Sequence, residues 1–211
     1  TAILGRYISI DAVSLVFNRT ALTSVAIAGY MLWKKRPFGA STKELWFMAL
    51  CGILIAVHWI TFFGAIKIAN VSITLAGVST GALFSALLNP ILNKGKLDPV
   101  ELALGAIVVV GIVIVFYEEP NAASIKTYAW AGYTLTNYQL GLLIALFSAS
   151  LSASFSILNK QLVARYPFPV QVTFWELSFA FIGVALYDLI AGSHNPMTLW
   201  ATTANDWWFL A

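Results

Sequence analysis

The chain has 211 residues, of which 60% are apolar and only 10% charged, and a formal net charge of +3. Soluble domains carry about a quarter charged residues, so a chain of mean hydropathy +0.82 has too few to cover a water-facing surface and belongs in a bilayer. The single cysteine, Cys51, excludes an intrachain disulfide and leaves the redox compartment open.

In chain order, residues 1–7 read as the tail of a membrane helix, with no initiator methionine or charged leader and so no expected signal peptide. A helix follows over about Ala12–Trp33, with Asp11 as N-cap. The next runs from about Leu45 to Ile66 behind Ser41-x-x-Glu44, which fits a capping box. A third spans about Ile73–Leu92, and a fourth Pro99–Tyr117 starts from Asp98-Pro99-Val-Glu101, an N-cap followed by proline at the first helical position. A polar, aromatic connection leads through Thr136-x-x-Gln139 into a fifth helix, about Gln139–Asn159, and a sixth covers about Val170–Ile190. Each approaches the roughly 20 residues that cross about 30 Å of hydrocarbon. Six complete spans and two partial ones are expected, the last beginning near Asp206.

Alternate connections hold Lys34, Lys35, Arg36, Lys43, Lys94, Lys96, Lys160 and Arg165, eight of the twelve basic residues. The positive-inside rule therefore puts the Lys34–Lys43 loop in the cytoplasm. The opposite side carries Arg6, Lys67 and Lys126 beside Asp11, Glu118, Glu119, Asp188 and Asp206, and Trp130, Tyr133 and Tyr138 there suit an interfacial aromatic belt.

An internal repeat is legible. Val13–Trp33 laid on Val170–Ile190 pairs Val13 with Val170, Phe17 with Phe174, Ala28 with Ala185, Tyr30 with Tyr187 and Leu32 with Leu189. Ile3-Leu4-Gly5-Arg6 resembles Ile157-Leu158-Asn159-Lys160, and Glu44–Ala49 resembles Asp206–Ala211, in the same order. A five-helix unit inverts its second copy, and inverted repeats are typical of secondary transporters. The expected organisation is a first repeat over 1–117, an outer connection over 118–138 and a second repeat over 139–211. On that alignment the chain is an interior section of a ten-helix protein. It would lack most of helix 1, most of helix 8, and helices 9 and 10.

Several polar residues in the apolar runs are candidates for a substrate pathway. His58 lies near the middle of its helix; it is either a substrate contact or protonatable switch, or a neutral histidine bonding a neighbouring helix. Trp59 points about 100° away from it, and packing is its simpler reading. Arg19 and Glu176 fall at equivalent repeat positions, as parts of opposite gates or as side chains snorkelling to their own interfaces. Gly77, Gly81, Ser85 and Asn89 lie four apart on one face. The two glycines read as close packing, while Ser85 and Asn89 are open to cavity lining or packing. Ser148, Ser152, Ser156 and Asn159 make a similar stripe with Ser150 and Ser154 alongside, and serines also bond back onto their own helix.

These stretches resemble the EamA-type family of the drug/metabolite transporter superfamily. The resemblance is carried by His58-Trp59-Ile-Thr-Phe62-Phe63-Gly-Ala65-Ile66, Asn70-Val-Ser72-Ile, Asn89-Pro90-Ile-Leu92, the glycine-rich Gly105–Val115 and Phe17-Asn18-Arg19. It implies an all-α integral membrane protein, a multi-helix bundle of two inverted five-helix repeats around a central cavity, moving amino acids or other small metabolites outward. Relatives of this type often carry an acid where this chain has Asn89.

The resulting expectation is a secondary transporter of a small polar metabolite or amino acid in the cytoplasmic (inner) membrane, an exporter working by alternating access. Coupling is either absent or to protons, with His58 and Glu176 as titrating groups. The alternatives are a membrane-embedded enzyme or accessory protein without transport, or a passive channel. No catalytic triad, H-E-x-x-H, phosphate loop or metal-ligand cluster occurs, so no enzyme, cofactor or metal is expected, and His194 reads as solvated. The basic residues are explained by topology, so no nucleic acid is expected; the partners are substrate, lipid and protons.

Overall fold

The computed structural model of the chain describes residues 10–93, 96–118, 125–130 and 133–191. Seven helices and a small antiparallel sheet make up these residues: α1 (Ala12–Trp33), α2 (Thr42–Ile68), α3 (Val71–Ser79), α4 (Gly81–Asn93), α5 (Pro99–Glu118), β1 (Thr127–Trp130), β2 (Tyr133–Thr136), α6 (Asn137–Val163) and α7 (Pro169–Ala191). With α3 and α4 taken as one stretch, five segments are long and apolar enough to cross a membrane: Ala12–Trp33, Thr42–Ile68, Val71–Asn93, Asn137–Val163 and Pro169–Ile190. Helix α5 adds 20 residues, with its apolar run described as far as Ile114. This is an all-α, multi-pass membrane architecture. Ile3–Arg6, Lys94, Glu119, His194 and Asp206–Ala211, which the sequence reading used, lie outside the described residues.

The helix starts follow from local chemistry. Asp11 Oδ1 accepts from the main-chain N–H groups of Val13 (2.7 Å) and Ser14 (3.0 Å), satisfying donors that the first turn of α1 leaves open. At α2, Ser41 N–H donates to Glu44 Oε2 (3.1 Å) and Glu44 N–H to Ser41 Oγ (3.4 Å), the reciprocal capping box. The same exchange links Thr136 N–H to Gln139 Oε1 (2.9 Å) and Gln139 N–H to Thr136 Oγ1 (3.2 Å) at α6. Asp98 Oδ1 accepts from Val100 N–H (2.8 Å) ahead of α5.

Three features depart from the sequence reading. The third span is interrupted at Thr80, whose N–H and Oγ1 both donate to the Gly77 carbonyl (3.2 and 2.6 Å); this tightens the last turn of α3 before α4 restarts. The connection ahead of α6 contains strands β1 and β2, with Thr127 opposite Thr136 and Trp130 opposite Tyr133. Of the aromatic belt, Tyr133 is exposed but Tyr138 is buried in the first turn of α6.

The described residues divide into two compact units, one built within 61–154 and one on 10–60 with 155–191. In the first, Asn137 anchors the sheet: its N–H donates to the Lys126 carbonyl (2.8 Å) and its Oδ1 accepts from Lys126 N–H (3.1 Å). Gly77 packs so closely on α6 that an added Cβ would stand 2.6 Å from the Ala145 Cβ. Gly141 meets Ala69 and Gly105 meets Leu83 in the same way. In the second unit α1 packs along α7, with the Phe17 and Phe181 rings 4.8 Å apart. Met48, Cys51, Leu162 and Val172 form a buried core there, joined by Phe47, Leu158, Trp175 and Phe179.

Candidate functional site

The second unit carries its buried carboxylates on α7. Val172, Glu176, Ala180, Val184 and Asp188 follow one another at four-residue intervals, and all five are buried. Four residues advance slightly more than one turn, so they form a single slowly turning stripe. Two carboxylates thus stand on a face otherwise made of valine and alanine. Glu176 is only 2% exposed and Asp188 only 3%. An ionisable group held inside a membrane-spanning segment is costly and faces the protein interior or a water-filled path.

Glu176 is set against α2. The Cys51 side chain hydrogen-bonds its carboxylate, and Gly52 lies directly against the Glu176 main-chain carbonyl. Oε1 has no hydrogen-bond partner among the described residues. A carboxylate has about four acceptor sites, so most of the capacity of this buried group is unused.

Helix α1 brings further buried polar groups to the same unit. Ser14, Asn18, Thr20 and Ser24 are all buried. Asn18 Nδ2 donates to the Ser14 carbonyl (2.7 Å) and Thr20 Oγ1 to the Val16 carbonyl (2.8 Å), so part of this polarity is absorbed within the helix. Arg19, half-buried, has its guanidinium carbon 6.0 Å from the centre of the Trp59 ring, at the outer range of a cation–π contact. The structure therefore joins two candidates, Arg19 and Trp59, that the sequence reading left apart. His58, on the neighbouring face of α2, is buried with its ring 6.0 Å from that of Phe155.

The remaining candidates are dispersed. Ser156 is exposed. In the other unit Ser85 and Ser152 are half-buried, and Asn89 is exposed and accepts from Asn93 Nδ2 one turn on (2.5 Å). Gly77 is a close-packing glycine, whereas a Cβ at Gly81 would meet nothing within 4 Å. Along α6, Ser150 donates to the Phe147 carbonyl (2.7 Å) and Ser154 to that of Ser150 (2.8 Å), the intrahelical bonding that hides a hydroxyl.

Sequence reasoning missed Asp188, counted as an outer-side charge, and the Cys51–Glu176 contact. The signal for Asp188 was present in its four-residue spacing from Val184 and Ala180. A groove of about 540 Å³ between α2 and α7 is lined by Ile53, Val57, Val184, Leu186 and other apolar side chains, and none of the polar candidates lines it. Among the described residues no group of three or more His, Cys, Asp or Glu side chains is placed to hold a metal ion.

No family model matches the chain, and no match is found among curated proteins. A chain of known structure, described only as "Crystal structure of protein", is similar with a TM-score of 0.62 at 18% identity. The match covers 99% of this chain and 66% of that one, so this chain spans about two thirds of the other's length. At that identity the likeness concerns the fold alone.

Proposed function

We propose that the chain belongs to a secondary transporter of a small polar metabolite or amino acid, an exporter of the cytoplasmic membrane that works by alternating access. The observation that carries this reading is the Glu176 carboxylate, buried well inside a membrane-spanning helix, with Asp188 buried near the end of the same stripe. A helix that only has to pack needs neither, whereas substrate and proton paths use such groups. The resemblance to the EamA-type family supplies the outward direction and the two inverted five-helix repeats, and the excess of basic residues on one side supplies the cytoplasmic Lys34–Lys43 loop. In this reading Glu176 and His58 are the protonatable groups, and Arg19 with Trp59 forms part of a gate.

The test is flux in proteoliposomes containing the complete protein, with a panel of amino acids and small metabolites, with and without a pH gradient. Saturable flux abolished by Glu176→Gln and by His58→Ala, in protein that remains folded, supports transport through this polar set. Flux that never saturates indicates a channel. Chemical turnover of a substrate without a gradient indicates an enzyme.

A further inference from the structure

One end of the second unit carries a site of a different kind. A cavity of about 140 Å³ lies between the start of α2 and the end of α6, lined by Lys43, Glu44, Phe47, Gln161, Leu162 and Arg165. Lys43 and Arg165 are exposed, and Leu162 beneath them is buried in the core with Met48, Cys51 and Val172. The cavity therefore has a charged rim and an apolar floor. Arg165 is held just beyond α6, its N–H donating to the Leu162 carbonyl at 2.9 Å. Glu44 is held by the capping box, with both Ser41 bonds ending on Oε2, and Arg165 stands close enough for its charge to act on it; a carboxylate has about four acceptor sites, so it retains acceptor capacity. Nearby cations are engaged otherwise: Lys34 Nζ stands 3.9 Å over the Trp33 ring and the Arg36 guanidinium 3.9 Å over that of Phe168.

Both helices are membrane spans, so their ends reach the depth of lipid headgroups. Basic pockets between such helix ends recognise phospholipid headgroups. Two cations alone would select any phosphate. The carboxylate among them adds a preference for a positive charge carried beside that phosphate. We propose that this cavity binds the headgroup of a phospholipid whose phosphate bears a primary amine, as in phosphatidylethanolamine. Lys43 and Arg165 take the phosphate, Glu44 takes the ammonium, and Phe47 and Leu162 receive the start of the apolar tails. Phosphatidylglycerol gives Glu44 no cation to meet, and the quaternary nitrogen of phosphatidylcholine has no N–H to donate. The inference rests on the membrane-spanning architecture and not on transport, so either can fail without the other.

The experiment is native mass spectrometry of the detergent-purified protein offered equimolar phosphatidylethanolamine, phosphatidylglycerol and phosphatidylcholine with the same acyl chains. Wild type retains the ethanolamine lipid preferentially. The double substitution Lys43→Gln with Arg165→Gln lowers that retention roughly 30-fold, about fivefold for each cation. Glu44→Gln, which keeps a capping-box partner at its position, abolishes the preference for the ethanolamine over the glycerol lipid while phosphate binding persists. Lys34→Gln with Lys35→Gln removes the same charge outside the cavity and leaves retention unchanged. An equal loss in that control pair would reduce the effect to diffuse surface charge. Equal retention of all three lipids, or full displacement by soluble phosphoethanolamine, would equally overturn the proposal.

Discussion

Cys51 and Glu176 meet side chain to side chain where α2 crosses α7, and the next residue, Gly52, lets the two backbones come that close. A Cβ at Gly52 would press on the Glu176 carbonyl and stand 2.8 Å from the Phe179 Cβ. Neither neighbour is the free end of a flexible side chain, so the helices themselves have to part. Gly52→Ala is therefore expected to destabilise the protein by about 1–3 kcal/mol, the usual cost of overpacking. Gly81→Ala meets nothing within 4 Å; at the start of α4 it is expected to be neutral or to stabilise by less than about 1 kcal/mol. Thermal unfolding of both variants in detergent checks the contrast. Equal midpoints would show that the α2–α7 contact has slack.

The two acids of α7 make separable predictions. Twelve residues of helix place Glu176 and Asp188 about 18 Å apart along the axis, too far to share one proton. If both serve one substrate path, Glu176→Gln and Asp188→Asn each lower saturable flux at least about tenfold, or 1.4 kcal/mol in the barrier. Neither isosteric change empties a cavity, so both variants should remain folded with unfolding midpoints close to that of wild type. Flux measured beside thermal unfolding in the same preparations decides this. Unchanged flux in both variants would return the stripe to packing and remove the main support for transport.

What the sequence made legible was chiefly local. Asp11, the Ser41/Glu44 and Thr136/Gln139 boxes and Asp98 before Pro99 each act within three residues. The starts of α1, α2, α5 and α6 could therefore be read directly, and hydropathy supplied their lengths. The interruption at Thr80 was missed because the apolar pattern runs through it unbroken, and only the hydroxyl's bond to the Gly77 carbonyl tightens the turn. Strands β1 and β2 sit in a stretch rich in threonine and aromatics, whose strand propensity was outweighed by its place between two spans. Among the site residues, burial of His58 followed from its depth in an apolar run, whereas for Glu176 the sequence left snorkelling to the interface open. The partners Cys51 for Glu176 and Trp59 for Arg19 come from other helices, and no spacing within one segment encodes them.

The loop between α1 and α2 is tied to α7 through the main chain of the loop. Trp175 Nε1–H donates to the Phe38 carbonyl at 2.9 Å, Gln171 Nε2–H donates to the Gly39 carbonyl, and the Phe38 and Phe174 rings meet edge to face at 5.1 Å. Trp175→Phe keeps an aromatic ring beside Phe179 but removes the donor and strands the carbonyl. A loss of about 1 kcal/mol is expected, the usual net worth of one such bond. Chemical denaturation of wild type and variant measures it. A loss near zero would mean that water replaces the indole at Phe38.

The same end of the unit makes a prediction about pH. Tyr166 lies in the connection between α6 and α7, beside Ser41, Glu44 and Gln171 around a cavity of about 400 Å³. Burial first, then the negative Glu44 carboxylate nearby, push its hydroxyl up to about 12. An unfolded tyrosine ionises near pH 10, so the fold favours the neutral phenol. That contribution to stability is complete below about pH 10 and is lost as the pH climbs toward the folded value. Wild type should therefore lose stability faster than Tyr166→Phe across that interval, and the two should run parallel below it. Tyrosinate absorbance, taken as wild type minus variant, should rise only near the upper end of the interval. A rise centred at the ordinary tyrosine value would show that the hydroxyl is solvated and that Glu44 does not act on it.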